Sequence, residues 1–163
     1  MLQLMWFRTD LRVTDNSALT AAMQAGPTVA VFLLSPGQWQ QHDDAPCKVD
    51  FWLRNLGELS RALQHLNVPL LIREADHWSA APNVLGPLAQ ELQASAVHVN
   101  EEYGVNESRR DEVVAAALDE LGVNFRSHLD RLLFKPGSVL TRTGTYFKVY
   151  SQFRGVCYQR LHT

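Results

Sequence analysis

Apolar runs of strand length alternate along this chain with longer segments in which apolar residues recur every three or four positions. The pattern predicts strands at Leu2 to Phe7, Thr28 to Leu34, Val68 to Arg73, Ala96 to Asn100 and Val123 to Leu129, with helices between them. Such alternation builds an α/β fold: an open parallel sheet of five strands flanked by helices.

The helices are signalled at their ends. The first is expected to start near Asn16 or Ser17, with Asp15 or Asn16 as N-cap, and to stop at Gly26-Pro27. A second, about Ala45 to Leu66, carries Val49, Trp52, Leu53, Leu56, Leu59, Leu63 and Leu66 as one stripe, expected to be buried as core. A third, Ala80 to Ala94, meets Pro87 after Gly86 and is expected either to start there or to kink. The fourth, Asn106 to Leu121, turns Val114, Ala117, Leu118 and Leu121 inward and leaves Glu107, Arg109, Arg110, Asp111, Asp119 and Glu120 mostly outward. Beyond Asp130, turn signals at Pro136-Gly137 and Thr143-Gly144 precede a Tyr/Phe-rich basic tail, which reads as an exit segment rather than a further βα unit. The expected division is therefore a domain over residues 1–130 and an exit segment over 131–163.

Composition narrows the class. The 163 residues are 46% hydrophobic and 20% charged, enough for one sizeable core. The longest apolar stretches fall well short of the roughly 20 residues that cross a bilayer, and no basic leader precedes the first strand. A cytoplasmic protein with no membrane partner is expected. Cys47 and Cys157 lack C-x-x-C spacing and read as plain thiols, and the mixed cluster of His42, Asp43, Asp44 and Cys47 is too cramped for a metal site. A net charge of −2 lacks the basic excess of a nucleic-acid-binding domain. Trp6, Trp39, Trp52 and Trp78 read as core packing or loop anchors.

The first strand and turn, "LMWFRTDLRVTDNSAL", contain no glycine. Dinucleotide-binding domains place glycines at this turn so that backbone can approach a pyrophosphate, whereas this chain places Arg8, Asp10, Arg12, Asp15 and Asn16. The charges are balanced in sign. That balance favours ion pairs and hydrogen bonds that fix the first loop at the carboxyl edge of the sheet over binding of an anionic ligand.

The stretch "WFRTDLRVTDNSAL" resembles the N-terminal signature of the DNA photolyase and cryptochrome family, and the resemblance continues through "SPGQWQQH", "VPLLIREAD", "VNEEYGVNESRRD" and "LFKPGSVLTRTGTYFKVYSQF". It implies a three-layer Rossmann-like domain without the dinucleotide glycine motif, followed by an interdomain linker and a helical domain that holds FAD. In photolyases, light-excited reduced FAD donates an electron that splits a cyclobutane pyrimidine dimer. The implied partners are the chain's own C-terminal FAD domain and, through the full-length protein, ultraviolet-damaged DNA. A monomer is expected, and this stretch alone is expected to be inactive in repair.

The N-terminal domain's implied role is to hold an antenna chromophore. Folate-type members carry a histidine after strand two and an Asn-Glu pair opening the helix after strand four, matched here by His42 and by Asn106 with Glu107. The resemblance thus implies 5,10-methenyltetrahydrofolate as antenna. A pterin presents an amino group and a ring N–H as parallel donors, which Glu107 could accept together. Asn106 offers a donor and an acceptor, and the His42 ring can bond or stack. The alternative for the pair is an N-cap with a first-turn acid. Deazaflavin or flavin occupies the corresponding cleft in some relatives. A cryptochrome, which signals without repairing DNA, shares the signature; a stand-alone nucleotide-binding module is disfavoured by the missing glycine loop.

Overall fold

The computed structural model of the chain describes residues 1–162. It shows two compact units, Met1–Asp130 and the segment from Arg131 onward. The first unit is a five-stranded parallel sheet in the order β3-β2-β1-β4-β5, with β1 at Leu2–Phe7, β2 at Thr28–Leu34, β3 at Leu70–Glu74, β4 at Ala94–Asn100 and β5 at Asn124–His128. Strand order reverses between β1 and β4. Open α/β sheets place their ligand crevice at such a point, outside the carboxyl ends of the strands.

Side chains alternate across the sheet and divide the core in two. Leu4, Trp6, Val31, Leu33, Val97 and Val99 face helices α4 (Ala81–Glu91) and α5 (Val105–Asp119). Met5, Phe7, Ala30 and Phe32 face α1 (Ser17–Ala25) and α3 (Pro46–His65). The domain is therefore three-layered.

Several boundaries differ from expectation for identifiable reasons. β3 begins at Leu70 because the Val68 amide bonds back to the Leu63 carbonyl at 3.0 Å, closing α3, and Pro69 has no amide to give. A short helix, α2 (Pro36–Gln41), occupies what the sequence suggested was loop, and His42 is its C-cap. Only Leu56, Leu59 and Leu63 of the α3 stripe are buried; Leu53 and Leu66 are exposed, since the α3 members of the core begin at Leu56. Helix α4 starts at Ala81, with Pro82 in its first turn and Pro87 inside it. Leu121, in the turn after α5, is exposed and Arg110, within α5, is buried, the reverse of their expected placement.

Beneath the carboxyl edge, His98 of β4 is fully buried. Its ring stacks on His128 with centroids 5.2 Å apart, Nδ1 lies 3.1 Å from His128 Nε2, and Nε2 lies 3.1 Å from Gln3 Oε1. The Gln3 amide nitrogen already donates to Met1 O and Ser95 Oγ. Its oxygen therefore accepts from His98 Nε2–H, which leaves Nδ1 to accept from His128. Burial, with His128 and Arg126 nearby, lowers the His98 pKa to about 4.

From Arg131 onward the chain turns at Gly137 and Gly144, both at positive φ, and ends in α6 (Tyr150–Leu161), a helix the sequence reading did not expect.

Candidate functional site

The missing glycine loop is explained at the start of α1. A helix N-terminus leaves amides without intrahelical partners and so attracts phosphates. Here protein groups take those places: the Ser17 amide donates to Asp130 Oδ1 at 3.1 Å, Ala18 to Asn100 Oδ1 at 2.9 Å, and Leu19 to Asn16 Oδ1 at 3.0 Å. The next amide, of Thr20, makes the first i→i−4 bond of the helix, to the Asn16 carbonyl. Arg12 pairs with Asp130 at 2.6 Å and also donates to the Asp15 carbonyl. Burial alone would raise the Asp130 carboxyl, but the bond from Arg12 and the Ser17 amide outweigh it and hold its pKa below the usual range. The Ser17, Ala18 and Leu19 amides are thus committed to protein acceptors rather than free for a pyrophosphate.

The first-loop charges do bond, although not mainly to one another. Asp10 accepts from the Arg8 backbone amide at 2.8 Å and from Asn100 Nδ2 at 2.6 Å, acting through neutral donors rather than through an ion pair. Arg8 reaches across the strand-order reversal to Asp111 of α5, with both carboxylate oxygens at 2.6–2.7 Å from Nη1, and to the Asn100 carbonyl. Arg110 pairs with Glu102 at 2.9 Å and with Asp111 at 2.7 Å. The quartet of Arg8, Arg110, Glu102 and Asp111 is charge-neutral and occupies the switch point. Burial pushes the Glu102 carboxyl up, yet Arg8, the Thr9 hydroxyl and Arg110 together bring its pKa below the ordinary value.

The four tryptophans converge above this quartet. Trp6, Trp39, Trp52 and Trp78 line one cavity of about 80 Å³ together with Phe32, and Glu102, Glu107 and Arg110 supply polar lining. The Arg110 guanidinium carbon lies 5.0 Å from the Trp6 ring centre and 5.0 Å from that of Trp78. Arg8 covers Trp6 as well, at 5.2 Å. Trp39 and Trp52 meet at 5.9 Å. This convergence was invisible in the sequence, where the tryptophans are separated by loops and helices and read singly as anchors.

Beside the cavity runs an open polar groove of about 420 Å³, lined by Gln38, His42, Trp78, Asn106 and Arg109 among others. Its wall is assembled by α2: the Gly37 amide donates to Asp76 Oδ1 at 2.8 Å, Gln38 N to the Asp76 carbonyl at 2.9 Å, and Trp78 N to Gln38 Oε1 at 3.2 Å. Those bonds bring the loop after β3 against α2, so that Trp78 stacks on His42 with centroids 6.1 Å apart. Trp78 belongs to both the groove and the inner cavity.

The three candidate residues thus divide. His42 and Asn106 line the groove; Glu107 lines the inner cavity. Glu107 is the third residue of α5 and folds back over the N-cap Gly104, where a built Cβ would lie 2.6 Å from the carboxylate carbon. Unlike Glu102 and Asp111, whose oxygens are taken by arginines, Glu107 has no ion-pair partner among the described residues. Its acceptors, and the side-chain polar atoms of Asn106 and His42, are uncommitted. Among the described residues no group of three or more His, Cys, Asp or Glu could hold a metal ion, and no helix is long and apolar enough to cross a membrane.

Comparison with known proteins agrees with this architecture. The family model described as DNA photolyase matches residues 3–163. The chain belongs to the DNA photolyase family. A deoxyribodipyrimidine photo-lyase of Vibrio cholerae is 40% identical over 154 residues, which cover 94% of this chain and 33% of that protein. A bacterial class III photolyase of Agrobacterium tumefaciens superposes with a TM-score of 0.72 at 29% identity, over 94% of this chain and 31% of its own. A Synechocystis cryptochrome superposes at 0.80 with 20% identity, over 97% of this chain and 33% of its own, which shows the shared fold. The chain therefore spans about a third of the length of these family members. Within the family it supplies the Rossmann-like α/β part.

Proposed function

We propose that this chain is the antenna-binding domain of a deoxyribodipyrimidine photolyase, an enzyme that repairs cyclobutane pyrimidine dimers in ultraviolet-damaged DNA. The observation that supports the reading most directly is the family match over residues 3–163 combined with a set of uncommitted polar side chains, Glu107, Asn106 and His42, gathered at the carboxyl edge beside an indole face. The photolyase reading stands above the cryptochrome alternative because the 40% identical relative carries the photo-lyase name.

In this reading the groove holds 5,10-methenyltetrahydrofolate. The inner cavity at about 80 Å³ is too small for a fused ring, whereas the groove is open and lined by polar side chains and the Trp78 indole. When bound, the folate supplies light absorption and passes excitation to reduced FAD in the helical domain of the longer protein, where the electron that splits the dimer originates. The residues of this chain bind and orient. The ring lies in the groove, where His42 with Trp78 presents ring faces for stacking and Asn106 offers one donor and one acceptor, and its pterin edge points past Trp78, which lines both spaces, to the Glu107 carboxylate, which accepts its paired donors. The parent protein works as a cytoplasmic monomer, and its FAD domain completes the site.

The test is a fluorescence titration of the purified chain with 5,10-methenyltetrahydrofolate, run beside a light-dependent repair assay on ultraviolet-irradiated DNA. Folate binding without repair is the expected result. Repair by this chain alone, or no folate binding by either the chain or its full-length parent, would overturn the proposal.

A further inference from the structure

One charged side chain lines the inner cavity against two of its indoles. The Arg110 guanidinium lies 5.0 Å from the centres of two indoles, Trp6 and Trp78, and is bonded to Glu102 and Asp111 at 2.7–2.9 Å. Its side chain is only 4% exposed. Two aromatic walls with carboxylates at their edge form a slot suited to a flat cation, since the ring faces and the acids both attract positive charge. In this chain that cation is internal.

We infer that Arg110 is a specificity-determining plug: it occupies an aromatic-walled slot for planar cations and thereby keeps flat ligands out of the inner cavity. The flanking arrangement supports this. Arg8 and Arg110 together balance Glu102 and Asp111, but Arg8 meets only the Trp6 ring, whereas the Arg110 guanidinium lies against two indole faces. A lysine would keep the charge but not the plane, and would leave the slot part-empty. The slot itself stands apart from the antenna reading. Its consequence, that a flat chromophore is confined to the groove of His42 and Asn106, rests on that reading.

The probe is benzamidine, a planar amidinium joined to an aromatic ring. In Arg110→Ala it should enter between Trp6 and Trp78, quench tryptophan emission saturably, and raise the Tm by about 3–6 °C at ten times its Kd. The unaltered chain should show neither effect. Because Arg110→Ala leaves Glu102 and Asp111 with one cation between them, the charge-balanced pair Arg110→Ala with Glu102→Gln provides a second folded background, in which benzamidine should bind several-fold more weakly but still saturably. Benzamidine binding equally well to the unaltered chain would overturn the inference, as would a folded variant of either kind with no saturable quenching or Tm rise. Folate titration of the same proteins separates the two proposals: loss of folate binding everywhere removes the antenna reading and leaves the slot untouched.

Discussion

Removing Asp111 should destabilise the domain more than removing any exposed acid, because two buried arginines share its carboxylate. Arg8 Nη1 contacts both oxygens at 2.6 and 2.7 Å, and Arg110 donates from Nε and Nη2 at 2.9 and 2.7 Å. In Asp111→Ala both guanidiniums must share Glu102, which lies 3.5 Å from Arg8 and 2.9 Å from Arg110, and the quartet carries one excess positive charge. Breaking a buried pair from one side costs about 3–5 kcal/mol. Asp111 retains 16% side-chain exposure, so water can reach the vacated place and the lower part of that range applies, about 3–4 kcal/mol. For a chain of this size that lowers Tm by about 6–16 °C. The control is Asp50→Ala, which removes an i,i+4 partner of Arg54 on the open face of α3 and should cost no more than about 0.5 kcal/mol. Thermal melts followed by circular dichroism make the comparison. If the two variants melt within about 2 °C of each other, the quartet does not anchor the domain.

Asp10→Ala should cost about 2–4 kcal/mol in chemical denaturation, since it strips acceptors from the buried Arg8 amide and Asn100 side chain; a loss below about 0.5 kcal/mol would contradict that. Gly104→Ala should leave stability nearly unchanged, its φ of −68° suiting any residue, while pushing the Glu107 carboxylate aside and weakening folate binding; unaltered affinity would show that the carboxylate's position does not matter. Stability should fall as pH drops from 6.5 towards about 4, because in that window the unfolded chain takes up a proton that buried His98 refuses. That contribution, on the order of 3 kcal/mol, is fully present above the unfolded pKa. A pH series of melts should flatten over this window in His98→Gln, and equal slopes in both proteins would remove the explanation.

What the sequence disclosed depended on how local the cause was. Asn16 and Gly26 were readable as the caps of α1 because capping acts within a few residues, and β1 and β2 were readable from unbroken apolar runs. Asp10 and Arg8 were recognisable as bonding residues, but their partners were not: Asp111 lies 103 positions from Arg8, and a sign-balanced loop suggested pairing within itself. The helical pattern puts Arg110 outward, as charge on an amphipathic helix ordinarily is; the indoles of Trp6 and Trp78, remote in sequence, reverse that preference. Helix α2 escaped notice because six residues containing Pro36 and Gly37 show no apolar period. His42, Asn106 and Glu107 were named through the family resemblance, whereas their division between groove and cavity follows from where α2 and Trp78 lie.

Whether Glu107 anchors a folate in this domain is decided by titrating 5,10-methenyltetrahydrofolate into the chain and into Glu107→Gln. The substitution keeps the shape of the side chain but sets an amide donor against the pterin's own donors, costing about 1.5–3 kcal/mol, or roughly 10- to 150-fold in affinity. His42→Ala and Asn106→Ala should each weaken binding by a smaller factor, and Asp50→Ala should not change it. That order is the expected result, read from pterin absorbance and fluorescence. Undiminished affinity in Glu107→Gln would contradict it and leave the Asn-Glu pair as no more than the opening turn of α5.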